Sequence, residues 1–401
     1  MSVLGIDFGT SYSSASFVNA DGKPEAIRFS GNDMKMPSLV SFFNNAQPSV
    51  GYDVDWMLRN GFPAMSDVDK RKFMSSLVKS IKRSLKPNGV ECGHSHRQVV
   101  ALVLNHIREE SDKACAPKHF DELVLTHPVQ FEEWKKNLLI DAAREAGFKK
   151  VELLEEPVSA AIGYLRHESV ENVRGMLVYD FGAGTFDVAY VTKHEGRFIV
   201  PIPPKGDSRC GGDDIDNAIY EYVTAKSAPI MGDEFTKQRD LNLLLSCRSW
   251  KERLSTMASV PIGIQSKLDL RKRYSGIFEQ RMLESLALPF IDRTVKLTKE
   301  VYDEVKENRL PLDFILLIGG SSQMPLISKR LNAVLPGVNI RTTGTVDIAV
   351  ALGASYYSIN PVEVNPEKEW CYCMYDGRKI LKSYNFCIYC GKPNFYKTKK
   401  F

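Results

Sequence analysis

The sequence predicts an α/β protein built as two related lobes, and three observations predict it. A segment near the N-terminus, Val3-Leu4-Gly5-Ile6-Asp7-Phe8-Gly9-Thr10, returns 173 residues later as Met176-Leu177-Val178-Tyr179-Asp180-Phe181-Gly182-Ala183-Gly184-Thr185. A period that long marks duplicated domains, because solenoid repeats are only ~20–50 residues. Strand-like and helix-like segments alternate between and after the two copies, the pattern of an α/β architecture. Length agrees: 401 residues at ~100–200 per domain give two or three compact units, and 43% apolar with 10% aromatic residues supply their cores. The same composition excludes a disordered chain, a collagen and a small disulfide scaffold.

Each copy reads as an apolar strand, an aspartate, a glycine turn and a second, alternating strand (Ser13 to Val18; Phe186 to Val191), so each lobe opens with the same β-hairpin. Between the hairpins, Phe73, Met74, Leu77, Val78, Ile81 and Leu85 recur at three and four residues and predict one helix. Trp134, Leu138, Leu139 and Ala142 predict another, which ends at Gly147. A strand at Leu123 to Leu125 precedes it. Val151 to Leu154 follows it and leads through Glu155-Glu156-Pro157 into a helix with proline in its first turn. Past the second hairpin, Asp207 to Gly212 reads as a turn, and a mostly helical stretch extends to about Asn308. Phe314 to Ile318 is a buried strand, Gly319-Gly320-Ser321 a turn, and Pro325 to Leu335 a helix.

Charge narrows the function. The chain carries 53 basic and 49 acidic residues, a net +4, yet Pro361 to Phe401 holds 8 of the bases and 4 of the acids, so the first 360 residues balance at zero. Nucleic-acid binding by the main body is not expected. No apolar run reaches the ~20 residues that cross a bilayer, and Met1-Ser2-Val3-Leu4-Gly5 lacks a secretory signature, so a cytoplasmic protein with no membrane partner is expected. Cys92, Cys115, Cys210 and Cys247 are scattered, as suits a reducing compartment.

A carboxylate at a strand end, followed by a glycine turn with a hydroxyl, offers what a polyphosphate needs: approachable backbone N–H groups, a hydroxyl donor, and an acid that holds Mg²⁺ through water. One Asp-Phe-Gly turn alone is an ordinary hairpin feature. If the two lobes are related by pseudo-symmetry, the two copies face each other across a cleft, and Asp7 and Asp180 can share one cation-bound polyphosphate. A protein-kinase reading fails for want of a Gly-x-Gly-x-x-Gly loop and a His-Arg-Asp loop, and no Walker lysine motif is present.

Glu156-Pro157 at a strand-to-helix junction, Gly211-Gly212-Asp213 and Gly319-Gly320-Ser321 complete an ordered set of five motifs with the two aspartate turns. In order and character they resemble the 70-kilodalton heat-shock chaperones of the actin-like ATPase superfamily, over Val3 to about Ser358. The resemblance implies a duplicated ribonuclease-H-like fold: a first lobe over 1–172, a second over 173–345, a helix over 346–360 returning to the first lobe, and a linker and tail over 361–401. It implies ATP or ADP between the lobes. Gly9, Thr10, Ser11, Tyr12, Gly182, Ala183, Gly184 and Thr185 then belong to the phosphate turns, and Asp7, Asp180, Glu156 and Thr185 position magnesium and water. Gly211, Gly212, Asp213, Lys251, Ser255, Gly319, Gly320, Ser321, Gln323 and Asp347 serve the ribose and base. Lys251 and Ser255, four apart in a predicted helix, share a face.

Four departures stand out. Where the family has a hydrolytic lysine after Val-Gly, Val50-Gly51 leads to Asp55, a reversed charge that opposes hydrolysis, with Arg59 four residues on as a substitute cation. Where the family brackets the base with two arginines, Glu252 and Gln323 stand, and a nearby glutamate becomes Arg248. Ala183 replaces a glycine and requires a negative φ. Nothing after Ser358 has the length of a peptide-binding β-sandwich and helical lid, so peptide clamping is not expected of this chain.

Cys371-x-Cys373 and Cys387-x-x-Cys390-Gly391 supply four thiolates at knuckle spacing, and a zinc-ribbon-like module holding a structural Zn²⁺ is expected. A protein partner is expected through this tail or the second lobe. Cys92, His94 and His96 form a weaker grouping, read as a loop. Three functions follow: a chaperone-like ATPase with slow hydrolysis, a non-hydrolysing nucleotide switch that recruits a partner through its zinc tail, and a small-molecule kinase of the same superfamily.

Overall fold

Two sheets with one strand order organise the chain. In a computed structural model the residues described are 2–30, 32–43, 47–61, 64–168, 172–194, 197–237, 240–345, 348–359, 370–372 and 379–381. The first sheet contains β1 (Ser2–Asp7), β2 (Tyr12–Val18), β3 (Pro24–Ala26), β4 (Phe120–His127) and β5 (Lys150–Glu155), in the order β5-β4-β1-β2-β3. The second contains β6 (Gly175–Phe181), β7 (Phe186–His194), β8 (Arg197–Ile199), β9 (Lys205–Asp207), β10 (Phe314–Ile318) and β11 (Ile340–Thr342). Its order, β11-β10-β6-β7-β8, repeats the first, with β9 also on β7. β1 pairs antiparallel with β2 and parallel with β4; β6 pairs antiparallel with β7 and parallel with β10. The duplicated sequence is thus a duplicated topology.

Helices cover the sheets: α1 (Ile81–Ser84), α2 (His96–Ala114), α3 (Glu133–Glu145), α4 (Glu156–His167), α5 (Gly212–Met231), α6 (Leu241–Leu254), α7 (Gln280–Glu307), α8 (Pro325–Val334) and α9 (Ala349–Ile359). Coverage on both faces explains why the central strands are continuous apolar runs, with all five residues of β10 buried. The α2 start is fixed by a capping box, Ser95 accepting from Gln98 N while the Gln98 side chain accepts from Ser95 N. α4 and α9 meet at backbone contact. A Cβ on Gly163 would lie 2.1 Å from Ala349 O, and one on Gly353 1.7 Å from Ser159 O. Ser16 and Ser159 donate to Ala351 O and Val350 O, each at 2.6 Å, tying α9 to β2 and α4.

Two predicted elements differ. The single helix expected around residues 73–85 is a helix at Asp67–Ser75, a strand at Leu77–Lys79 paired with Leu39–Ser41, and the short α1. Ser80, at φ 56°, breaks the helical path, and sheet pairing takes Leu77 and Val78. The helical stretch expected to Asn308 contains a hairpin, Ser259–Gln265 with Arg273–Glu279, in which Val260, Ile262 and Ile264 are buried at period two. In the tail, Trp370–Tyr372 pairs with Lys379–Leu381, placing Cys371 on a strand, while Cys373, Cys387 and Cys390 lie outside the described residues. Among the described residues no helix is long and apolar enough to cross a membrane.

Candidate functional site

Asp7 ends β1 and Asp180 lies one residue from the end of β6, each just before its glycine turn. The two turns touch: a Cβ on Gly184 would sit 2.6 Å from the Thr10 side chain. Between them opens a cleft of about 340 Å³, lined by both turns, Glu156, and Asp213, Lys251, Ser255, Gly319, Gly320, Ser321 and Gln323 of the residues predicted for ribose and base. Ala183 is not among the residues in the positive-φ region, so its methyl group is accommodated.

The second turn rests on the next motif. Gly182 N donates to Thr185 O (3.1 Å), Gly212 N to Gly182 O (3.0 Å) and Asp213 N to Ala183 O (2.8 Å). Gly211 and Gly212 therefore support the turn from beneath instead of lining the cleft, whereas Asp213 reaches it. A Cβ at Gly211 would lie 2.3 Å from Ala183 O. Ser321 closes the arrangement by donating to Gly182 O at 2.9 Å.

At the floor, Lys82 Nζ meets Glu156 Oε1 at 2.5 Å, both side chains only 9% exposed. Burial pulls the lysine down, but Glu156, Asp7 and Asp180 outweigh it and raise its pKa. Thr126 donates to Asp7 at 3.3 Å. Burial, offset in part by Lys82, pushes Asp7 up to about 6. Burial and then Glu156 push Asp187 up to about 8 and hold Asp180 well above the carboxylate range. One ammonium thus serves four carboxylates, Glu156 buried and Asp7, Asp180 and Asp187 half-buried, a set of hard oxygens short of positive charge that fits a hydrated Mg²⁺. Asp7 and Asp180, both lining the cleft, would hold such an ion.

The other end is formed by α6 and the Gly320–Gln323 turn. Lys251 Nζ donates to Gly212 O and pairs with Asp216, both at 2.8 Å. Arg248 pairs with Asp213 at 2.6 Å and Asp216 at 3.3 Å, and its Nη2 lies 3.5 Å from Ser11 Oγ. Ser255, Glu252 and Gln323 complete this wall. Asp347 lies outside the described residues.

Lys82 corrects the reading of Asp55. Asp55 bonds Arg59 Nε at 2.8 Å and lines a neighbouring hollow, not the phosphate cleft. The charge beside the carboxylates is therefore positive. No sequence motif singles out Lys82, since it reaches the site through the broken helix. Asp187 was also missed, although an aspartate in the apolar alternation of β7, in register with Asp180, was a visible signal. The Cys92, His94 and His96 grouping is a tight turn: Cys92 has φ 51°, His94 stacks on Phe42 and His96 Nδ1 accepts from Lys86 N.

Residues 64–359 match the family model described as Hsp70 protein. The chain is 27% identical over 376 residues to "Chaperone protein DnaK" of Mycoplasmoides gallisepticum, covering 88% of this chain and 59% of that protein. It is 28% identical over 372 residues to a "Heat shock 70 kDa protein" of Neurospora crassa, and 27% identical over 372 residues to a "Chaperone protein HscA homolog" of Variovorax paradoxus, covering 88% of this chain and 57% of each relative. The chain spans less than two thirds of the length of these relatives. With the family matched over more than half its length, and the duplicated sheets and facing turns in place, the chain belongs to the Hsp70 protein family.

Proposed function

We propose that the cleft binds ATP and ADP with Mg²⁺ and hydrolyses ATP, and the observation that carries this is the Lys82–Glu156 pair set between two touching phosphate turns. The backbone of both turns and the hydroxyls of Thr10, Ser11 and Thr185 bind the polyphosphate. Lys82 supplies fixed positive charge where the transferred phosphoryl group gains negative charge, and no reorganisation is needed because Glu156 already orients it. Glu156 and Thr185 orient the attacking water. Asp7 and Asp180 would hold Mg²⁺ through water, and the ion would supply neutralisation of phosphate charge there. Hydrolysis is not opposed by Asp55, which is paired with Arg59 outside the cleft. Affinity is lower than stacking arginines would give, because Arg248 is held by Asp213 and Asp216 and the two bracketing positions carry Glu252 and Gln323.

Calorimetric titration with ATP and ADP, with and without Mg²⁺, followed by phosphate release, tests the reading. Micromolar, Mg²⁺-dependent binding and slow phosphate release are expected; no binding of either nucleotide overturns it. We also propose that Cys371, Cys373, Cys387 and Cys390 hold one structural zinc, supported by their spacing and by the hairpin carrying Cys371, and that the tail or the second half docks a protein partner. Metal analysis of the purified chain should find one zinc per chain, lost in Cys390→Ser; none in the parent chain overturns this part.

A further inference from the structure

Consecutive residues of α1 carry two cations, and at about 100° per residue their side chains leave the short helix toward different walls. Lys82 stays within the first lobe, on Glu156 at the floor. Arg83 crosses to the second lobe, where its Nη2 donates to Asp214 Oδ1 at 3.2 Å. The left-handed Ser80 sets the direction of both, since it precedes α1 and its carbonyl accepts from Arg83 N at 3.0 Å. Arg83 lines the neighbouring hollow and not the phosphate cleft.

Asp214 has a second partner. Its Oδ2 accepts from Gly211 N at 2.9 Å, at the start of α5. The next two amides, Gly212 N and Asp213 N, hold Gly182 O and Ala183 O of the second phosphate turn. A continuous series of contacts therefore runs from the Glu156–Lys82 pair through α1 and Arg83 to Asp214, Gly211 and the turn. It joins the ammonium of one lobe to the phosphate turn of the other. Little stability is at stake, because the two side chains are 26% and 20% exposed and such pairs contribute little. Geometry is the larger stake: a displacement of ~1 Å at a reacting centre costs on the order of 10²-fold in rate.

We propose that Arg83 is a positioning residue for hydrolysis, which sets the second phosphate turn in register with the Lys82 ammonium and acts through Asp214 without touching the nucleotide. The inference rests on the nucleotide reading of the cleft above and adds the link that aligns its two halves.

The test measures phosphate release at saturating ATP and ADP affinity by calorimetry, in the full chain with Mg²⁺, for Arg83→Gln, Arg83→Lys, Asp214→Asn and the double variant Arg83→Gln/Asp214→Asn. Asparagine keeps an oxygen for Gly211 N and removes the charge. Arg83→Gln should lower turnover about tenfold while changing the ADP Kd less than about threefold, because the turns that bind phosphate stay in place. One guanidinium nitrogen makes the contact, so Arg83→Lys should keep turnover within about threefold of the parent chain. Asp214→Asn should match Arg83→Gln, and the double variant should lose no more than either single change. Thermal unfolding checks that the variants fold. Turnover within twofold of the parent in Arg83→Gln, parallel losses of turnover and ADP affinity, or losses that multiply in the double variant overturn the positioning role and leave the nucleotide reading intact. A parent chain that binds neither nucleotide, or releases no phosphate from ATP, overturns the hydrolytic reading and this inference together.

Discussion

The two ends of the cleft are built on different principles. At the phosphate end the chemistry is carried by backbone turns packed against other backbone, with Gly184 against Thr10 and Gly211 against Ala183, and by ionisable groups buried deeply enough for Asp7 and Asp187 to be displaced upward. At the base end it is carried by side chains on the face of α6 and one short turn, and Glu252 and Gln323 are exposed there. A change at the first end must be absorbed by the fold. At the second it alters only what the wall offers a ligand. This is why the two turns agree closely with the family's pattern while the base wall departs from it.

The largest effect that would break this contrast belongs to Lys82. Lys82→Met keeps the bulk of the side chain and removes the only described ammonium among the four floor carboxylates. Phosphate release should fall about 10³-fold, the scale of deleting a preorganised charge, and urea unfolding should report a loss of ~3–5 kcal/mol, the cost of breaking a buried ion pair from one side. Turnover within tenfold of the parent chain would remove Lys82 from the chemistry. Next comes Gly211→Ala, whose methyl group meets Ala183 O at 2.3 Å. Backbone must yield, so ADP affinity should drop more than tenfold by calorimetry, with ~1–3 kcal/mol lost from stability through overpacking. An unchanged Kd would mean that the second turn does not hold phosphate.

The same contrast explains what could be read in advance. The aspartate turns were legible because a glycine turn that approaches phosphate permits few substitutions, and their recurrence implied the duplicated sheets. Lys251 and Ser255 were singled out only through the family resemblance, because a lysine and a serine four apart are an ordinary solvated pair on a helix. Lys82 was not legible, because the apolar periodicity over residues 73–85 matches a continuous helix, and only pairing of Leu77–Lys79 with Leu39–Ser41 and the left-handed Ser80 turn the chain so that Lys82 reaches Glu156. That pairing is non-local, so no window of sequence contains it. The hairpin at residues 259–279 was hidden differently: its alternation is plain in Val260, Ile262 and Ile264, but helices flank it on both sides.

Smaller effects sharpen the comparison. Asp7 and Asp187 titrate in the folded protein at about 6 and about 8, against 3.8 for an ordinary aspartate, first because burial penalises their charge. Between pH 4 and 8 the folded state therefore retains protons that the unfolded chain has released, so these groups stabilise most at low pH and lose that stabilisation as pH rises through 6 and 8. Without Mg²⁺, stability should fall by ~5 kcal/mol between pH 5 and 8 on this account, measured by urea unfolding, and Mg²⁺ should flatten the slope. A rise across that window would contradict the cluster. At the base end, Ser255→Ala removes one part-exposed hydroxyl, and ADP affinity should fall only about threefold, the scale of one neutral hydrogen bond; a hundredfold loss would show that this wall is as constrained as the floor.

Asp55→Lys should have the smallest effect, and it separates the two candidate positions for the hydrolytic cation. Asp55 is bonded to Arg59 four residues on, the 2.8 Å contact lies on the surface of the neighbouring hollow, and an i,i+4 pair of this kind contributes only ~0.3–0.5 kcal/mol. Reversing its charge frees the exposed Arg59 at the neighbouring hollow, so the electrostatic change is felt there and not at the floor. Phosphate release at saturating ATP should stay within about twofold of the parent chain, since water and salt screen a charge placed at the rim. If turnover instead rises severalfold in Asp55→Lys, and the same substitution restores activity to Lys82→Met, positive charge at residue 55 reaches the phosphate after all. The floor would then have lost its claim to be the only source of that charge.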